Sequence, residues 1–184
     1  FISISNKTTH ATIDIEKLGT NPDTVILTIG GIKFDPMADD ELHSEFYYRL
    51  DADEQIETGR TVDEKTLEWW ETQPEEIKAE ALDPDGRVST EETLKALNKW
   101  LVGVDKIWCQ GPVFDIGILE NLYRQINLHH NWSFWVIRDS RTLFGLMPKD
   151  PRKEIDFAAH NALADAVVQS LCIQKVYKSL GVCK

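Results

Sequence analysis

Between His10 and Lys17 the chain alternates, putting Ala11, Ile13 and Ile15 on one side of a strand and Thr12, Asp14 and Glu16 on the other. Two carboxylates two residues apart on one strand face repel each other. Near a core that arrangement is costly unless a cation sits between them. The segment is therefore either an exposed edge strand with an acidic outer face or a strand that ends at a binding cleft. Leu18-Gly19-Thr20, a turn just past Glu16, favours the cleft.

The rest of the chain supplies the elements around this strand. Residues 24–34 and 44–50 read as two further strands, with Phe46 and Tyr48 on one face of the latter, so the first three strands form an antiparallel meander. Thr61-Val62-Asp63-Glu64 reads as a capping box opening a helix through Trp70. Ser89-Thr90-Glu91-Glu92 opens another, with Leu94, Leu97, Leu101 and Val104 in register. A strand at 106–110, a helix at 115–126, a strand at 134–138 and a long helix at 161–180 follow, with Gly181 as its stop. Three strands followed by alternating helices and strands predict an α/β chain: a mixed five-stranded sheet flanked by helices, in a single domain spanning 1–184.

Two more blocks carry chemistry. Asp115, in Val113-Phe114-Asp115, falls in the first turn of its helix, where the helix dipole alone would favour an acid. His160 sits just before the last helix and Asp165 about one turn inside it, in His160-Asn161-Ala162-Leu163-Ala164-Asp165. Each residue has an ordinary explanation in isolation. Together, four carboxylates and one imidazole supply hard oxygen ligands for Mg²⁺ or Mn²⁺ and a base for water, the requirements of two-metal phosphodiester hydrolysis.

Composition narrows the choice. With 184 residues, 42% of them hydrophobic, the chain can bury one substantial core. There is no membrane-span-like run and no secretory pattern in residues 1–7, and Cys109, Cys172 and Cys183 are unevenly spaced, so reduced thiols and a cytoplasmic location are expected. A net charge of −11 is the wrong sign for coating a duplex, but it suits an enzyme that takes hold of a single frayed end. Glu75, Glu76, Glu80, Glu91 and Glu92 are expected to face away from the cleft. Arg138, Arg141, Lys149, Arg152 and Lys153 are candidates for a phosphate rim. Of Trp69 and Trp70, adjacent on a helix, at most one can reach a cleft to stack on a base; the other is expected in the core.

The three blocks, Asp-x-Glu on a first strand, Phe-Asp at a central helix start and His-x-Ala-x-x-Asp before a late helix, resemble the exonuclease motifs of the DEDDh group. The likeness spans the chain from Asp14 to the last helix. It departs at Gln110-Gly111-Pro112-Val113, where many members carry an Asn. Trp69-Trp70, Trp108-Cys109-Gln110-Gly111 and Arg138-Asp139 look most like a phage- and prophage-associated, exodeoxyribonuclease VIII-like branch, one relative of which acts on RNA. The resemblance implies a ribonuclease-H-like fold and a 3′→5′ exonuclease that releases nucleoside 5′-monophosphates. It further implies two Mg²⁺ or Mn²⁺ ions roughly 3.5–4 Å apart, bridged by Asp14, with Glu16 and Asp165 on one, Asp115 on the other and His160 as base. Trp69, Trp70, Gln110, Phe114 and Arg138 are the expected substrate contacts. The implied partners are single-stranded or 3′-overhang nucleic acid, DNA or RNA, with no membrane and with homodimerisation left open. A metal phosphohydrolase acting on small nucleotides and a catalytically silent nucleic-acid-binding module remain as rivals.

Overall fold

The computed structural model describes residues 8–157 and 159–182; residues 1–7, Ala158 and Cys183, on which readings of the N-terminal start, the approach to His160 and the third thiol fell, lie outside them. Strands β1 (His10–Lys17), β2 (Ile26–Phe34) and β3 (Leu42–Arg49) form the antiparallel meander. Strands β4 (Lys106–Cys109) and β5 (Ile137–Asp139) add in parallel beyond β1, giving the order β3-β2-β1-β4-β5. β1 is therefore the central strand, and the edge-strand alternative is excluded.

Seven α-helices accompany the sheet among the described residues: α1 (Ala52–Glu57), α2 (Glu64–Glu71), α3 (Glu75–Leu82), α4 (Thr90–Trp100), α5 (Pro112–Gln125), α6 (Ser140–Phe144) and α7 (Ala162–Ser179). Ala11, Ile13 and Ile15 bury against Leu94, Leu97, Ile118 and Leu122, so α4 and α5 cover one face. On the other face α7 packs Val168, Cys172, Ile173 and Val176 against Phe34 and Trp108. The hydroxyl of Ser170 donates to Thr12 Oγ1 at 2.7 Å, tying α7 to the polar side of β1.

Several boundaries differ from expectation for local reasons. β2 starts at Ile26 because Thr24 makes only an isolated bridge to Thr61, while the Gln55 side chain satisfies both backbone groups of Ile26. Gln55 belongs to α1, which sequence reasoning did not foresee, although Asp51 caps it by accepting from Glu54 N–H. The cap of α2 is Asp63, accepting from Lys65 N–H, rather than Thr61, whose hydroxyl donates to Asp23. Ser89 caps α4 as expected. The strand expected at 134–138 divides into a 3₁₀ turn, Phe134–Val136, and the three residues of β5.

The placement of α7 depends on Gly30. This residue pairs with Asp14 across β1 and β2, and a Cβ built on it would lie 2.3 Å from the carbonyl carbon of Ala162 and the nitrogen of Leu163. Only the missing side chain lets the first turn of α7 rest on the sheet beside Asp14. Gly30→Ala is expected to cost about 3 kcal/mol and lower Tm by roughly 6–12 °C. Gly117→Ala, in the interior of α5 with nothing within 4 Å of the added carbon, should stabilise by about 0.5–1 kcal/mol. Thermal unfolding of the two variants checks the contrast; equal effects would refute the close-approach argument.

Candidate active site

At the C-terminal ends of the parallel strands a cleft of about 370 Å³ opens. Asp14 and Glu16 of β1 and Asp165 of α7 converge on it, with carboxylate oxygens all within 4.8 Å of one another. Asp115 lines the same cleft from the first turn of α5. That helix begins abruptly because Gly111, at φ 88°, turns the chain out of β4, and Pro112 starts the helix. His160 stands at the cleft wall immediately before α7, which Asn161 caps by accepting from Ala164 N–H. The His160 backbone is left-handed, at φ 67°, and its N–H donates to Asp165 Oδ2 at 3.1 Å.

The electrostatics are those of anions held together. Burial first, then repulsion from Asp115, Asp165 and Glu16, pushes Asp14 well above the usual carboxylate range. Burial, followed by Asp165, raises Glu16 to about 8, and burial raises Asp165 to about 6 against the pull of the His160 N–H and Arg152. Asp115 is also raised by burial, opposed by Lys17, whose ammonium lies 3.3 Å from Asp115 Oδ1. The His160 imidazole is shifted down by burial, which favours its neutral, proton-accepting form. The all-oxygen donor set and the mutual repulsion of its members fit a hard divalent cation.

The five motif residues therefore meet in one place, while the expected substrate contacts divide. Trp69 is 39% exposed and packs edge-to-face on His160 at 4.8 Å between ring centroids. Trp70 is corrected to a core residue: it is 1% exposed, and its indole N–H donates to the Lys17 carbonyl, anchoring α2 to the end of β1. Phe114 and Gln110 line the cleft, and Gln110 Oε1 accepts from Arg152. Arg138 is likewise corrected. Its guanidinium donates to the carbonyls of Trp135 and Ile137 and does not line the cleft.

Of the proposed basic rim, Arg141 and Arg152 line the cleft, whereas Lys149 and Lys153 do not. Arg152 sits on a 3₁₀ turn, Pro151–Glu154, and pairs with Asp150, so this part of the approach to His160 is built rather than loose. Glu76 and Glu80 do not line the cleft but a neighbouring cavity of about 440 Å³ that shares His160. Sequence reasoning missed Gln169, whose amide reaches Asp14 Oδ1 at 3.4 Å. It also missed Lys17, which strict alternation would place on the opposite face from Glu16. That opposite face is the one α5 covers, and from it the Lys17 side chain reaches Asp115 at the cleft.

Fold and site together are those of a 3′–5′ exonuclease built on a ribonuclease-H-like mixed sheet. Residues 9–177 match the 3′-5′ exoribonuclease Rv2179c-like domain, and the chain belongs to that family. It is 27% identical over 196 residues to the exodeoxyribonuclease of Enterobacteria phage T4, covering 88% of this chain and 86% of the phage protein. Among solved structures, E. coli exonuclease I in a zinc-bound complex with single-stranded DNA superposes with a TM-score of 0.69 at 15% identity. That match covers 95% of this chain but 41% of exonuclease I. The nuclease domain of 3′hExo, a DEDDh family member bound to rAMP, gives a TM-score of 0.61 at 12% identity over 97% of this chain and 95% of that domain. No helix among the described residues is long and apolar enough to cross a membrane.

The raised carboxylates make the metal-free protein pH-sensitive. Their protonated forms stabilise the fold fully below the unfolded-state pKa values. That contribution is lost as pH rises through about 6 for Asp165 and about 8 for Glu16. His10, buried and accepting from the Trp108 indole, is lowered to about 4 and acts in the opposite direction, only below its ordinary value of 6.5. Tm in EDTA is therefore expected to fall between about pH 6.5 and about pH 8.5, and added Mg²⁺ or Mn²⁺ should remove most of the fall. A flat or rising profile in EDTA would contradict the buried carboxylate cluster.

Proposed function

We propose that this chain, as a single domain, hydrolyses single-stranded or frayed 3′ ends of DNA or RNA in a divalent-metal-dependent reaction that releases nucleoside 5′-monophosphates. The observation that carries the reading is the convergence of Asp14, Glu16 and Asp165 within 4.8 Å, with His160 on the adjoining wall of the same cleft. The family's activity on RNA, the phage relative named for DNA, and neighbours bound to single-stranded DNA or rAMP support a nucleic-acid substrate.

Asp14, Glu16 and Asp165 are the residues that would hold one cation and Asp115, with Asp14, a second. Mg²⁺ or Mn²⁺ bound there offsets phosphate charge and makes water easier to deprotonate. His160 takes the proton from the attacking water. Its imidazole is neutral near pH 7 and stands outside α7, with Trp69 against its ring. The phosphate backbone meets Arg141 and Arg152 at the rim, and the terminal base meets the exposed face of Trp69 or Phe114. The cleft is lined by residues of α5 and α7 and by Arg152, Phe157 and Ala159, which suits a strand end rather than a duplex.

A 5′-labelled oligomer should give a descending ladder that EDTA abolishes. A closed circular single strand should resist cleavage, and a small phosphodiester should be a poor substrate. Early internal cuts, or preferential turnover of the small ester, would overturn the assignment. His160→Ala should reduce turnover by about 10²–10⁴-fold and leave Mn²⁺ binding intact. Asp14→Asn should blunt the metal-induced rise in Tm without destabilising the metal-free protein. Loss of Mn²⁺ binding in His160→Ala would make the imidazole a ligand instead of a base.

A further inference from the structure

Lys17 occupies a position that the proposed chemistry does not require. At the end of β1, on the face that α5 covers, its side chain lines the cleft. Its ammonium then lies 3.3 Å from Asp115 Oδ1 and 4.4 Å from the centroid of the Phe114 ring. The backbone beneath it is fixed, because the Lys17 carbonyl accepts from the buried Trp70 indole at 3.1 Å. Asp115 adjoins Asp14, on which its charge acts more strongly than those of Asp165 and Glu16, but lies outside the trio of Asp14, Glu16 and Asp165 that gathers within 4.8 Å. The cleft thus contains two places for positive charge, and an ammonium already sits at one of them.

We infer that Lys17 is a tethered cation that holds the Asp115 position against a divalent ion, so that the trio fills first and the Asp115 position fills only as Lys17 withdraws. The inference rests on the proposed reading that these carboxylates bind divalent cations. The Asp115 side chain is 6% exposed, and leaving it charged and unpaired there would be costly. The Lys17 ammonium neutralises it and gains a cation–π contact with Phe114. A divalent ion arriving at Asp115 must displace both contacts. Withdrawal is feasible because the Lys17 side chain is already 19% exposed and carries its charge on a flexible four-carbon stem. Asp115 also lies in the first turn of α5, whose dipole supports an anion when Lys17 is removed. A neutral replacement is therefore expected to fold.

The test is a calorimetric titration of the metal-free protein with Mn²⁺, in the absence of nucleic acid, with bound Mn²⁺ counted by electron paramagnetic resonance. Wild type should show one tight and one weak class of site. Lys17→Met should tighten the weak class about tenfold or more and change the tight class less. Lys17→Gln serves as a second neutral variant should the first fold poorly. The gain should vanish when Asp115→Asn is added. An unchanged weak class in both neutral variants would overturn the inference, as would a gain that survives Asp115→Asn. Should the Lys17 effect be observed while wild type with saturating Mn²⁺ fails to degrade any 3′ end, the competition stands and the nuclease reading falls.

Discussion

The first turn of α7 lies against the sheet at Gly30, opposite Asp14 in the antiparallel ladder, and the site is assembled around that contact. Asp14 and Glu16 come from a strand buried on both faces, so neither can turn to solvent. Asp165 comes from a helix whose approach is set by backbone, not by adaptable side chains. Ser170 on Thr12 and Gln169 near Asp14 reinforce the same seam. The carboxylates are thus brought together by packing elsewhere in the fold, and their repulsion is imposed on them by the core. A cation relieves the strain that the apolar layers create.

The same logic reconciles a net charge of −11 with a polyanionic substrate. Positive groups are present at the cleft itself, which Lys17, Arg141 and Arg152 all line. Much of the acid is on exposed helix starts such as Glu91 and Glu92, where it favours the helix dipole. Glu76 and Glu80 line a separate cavity that shares His160 with the cleft.

Much of this was legible in the chain because regular patterning and core burial coincide. The alternation at 10–17 placed Asp14 and Glu16 correctly, since every odd residue from Ala11 to Ile15 had an apolar core to enter. The cap at Ser89 and the position of Asp165 in the first turn of α7 followed from side-chain chemistry that acts locally. What escaped depended on interactions distant in sequence. Lys17 is drawn into the cleft because α5 brings Asp115 to its face of β1, a contact across 98 positions. The fates of Trp69 and Trp70 were decided by which indole met the end of β1. β5 was overextended because Phe134-Trp135-Val136 has strand-like composition, yet only Ile137–Asp139 finds a partner in β4. Arg138 and its neighbours read as a basic rim on charge alone, although the guanidinium is used to close its own turn.

Asp14 and Gln169 touch across 155 positions of chain, and β1, α5 and α7 each contribute to one small volume. Contacts of such separation form late, after loop-closure entropy has been overcome. A nascent or partly folded chain that has made the meander and β4 still holds its acids in two unconnected groups. Seating α7 completes both the second hydrophobic layer and the carboxylate cluster in one event. Peeling α7 away by heat, denaturant or proteolysis undoes both together. The carboxylate cluster is thereby tied to the packing of α7 on the sheet, and a damaged copy loses the two together.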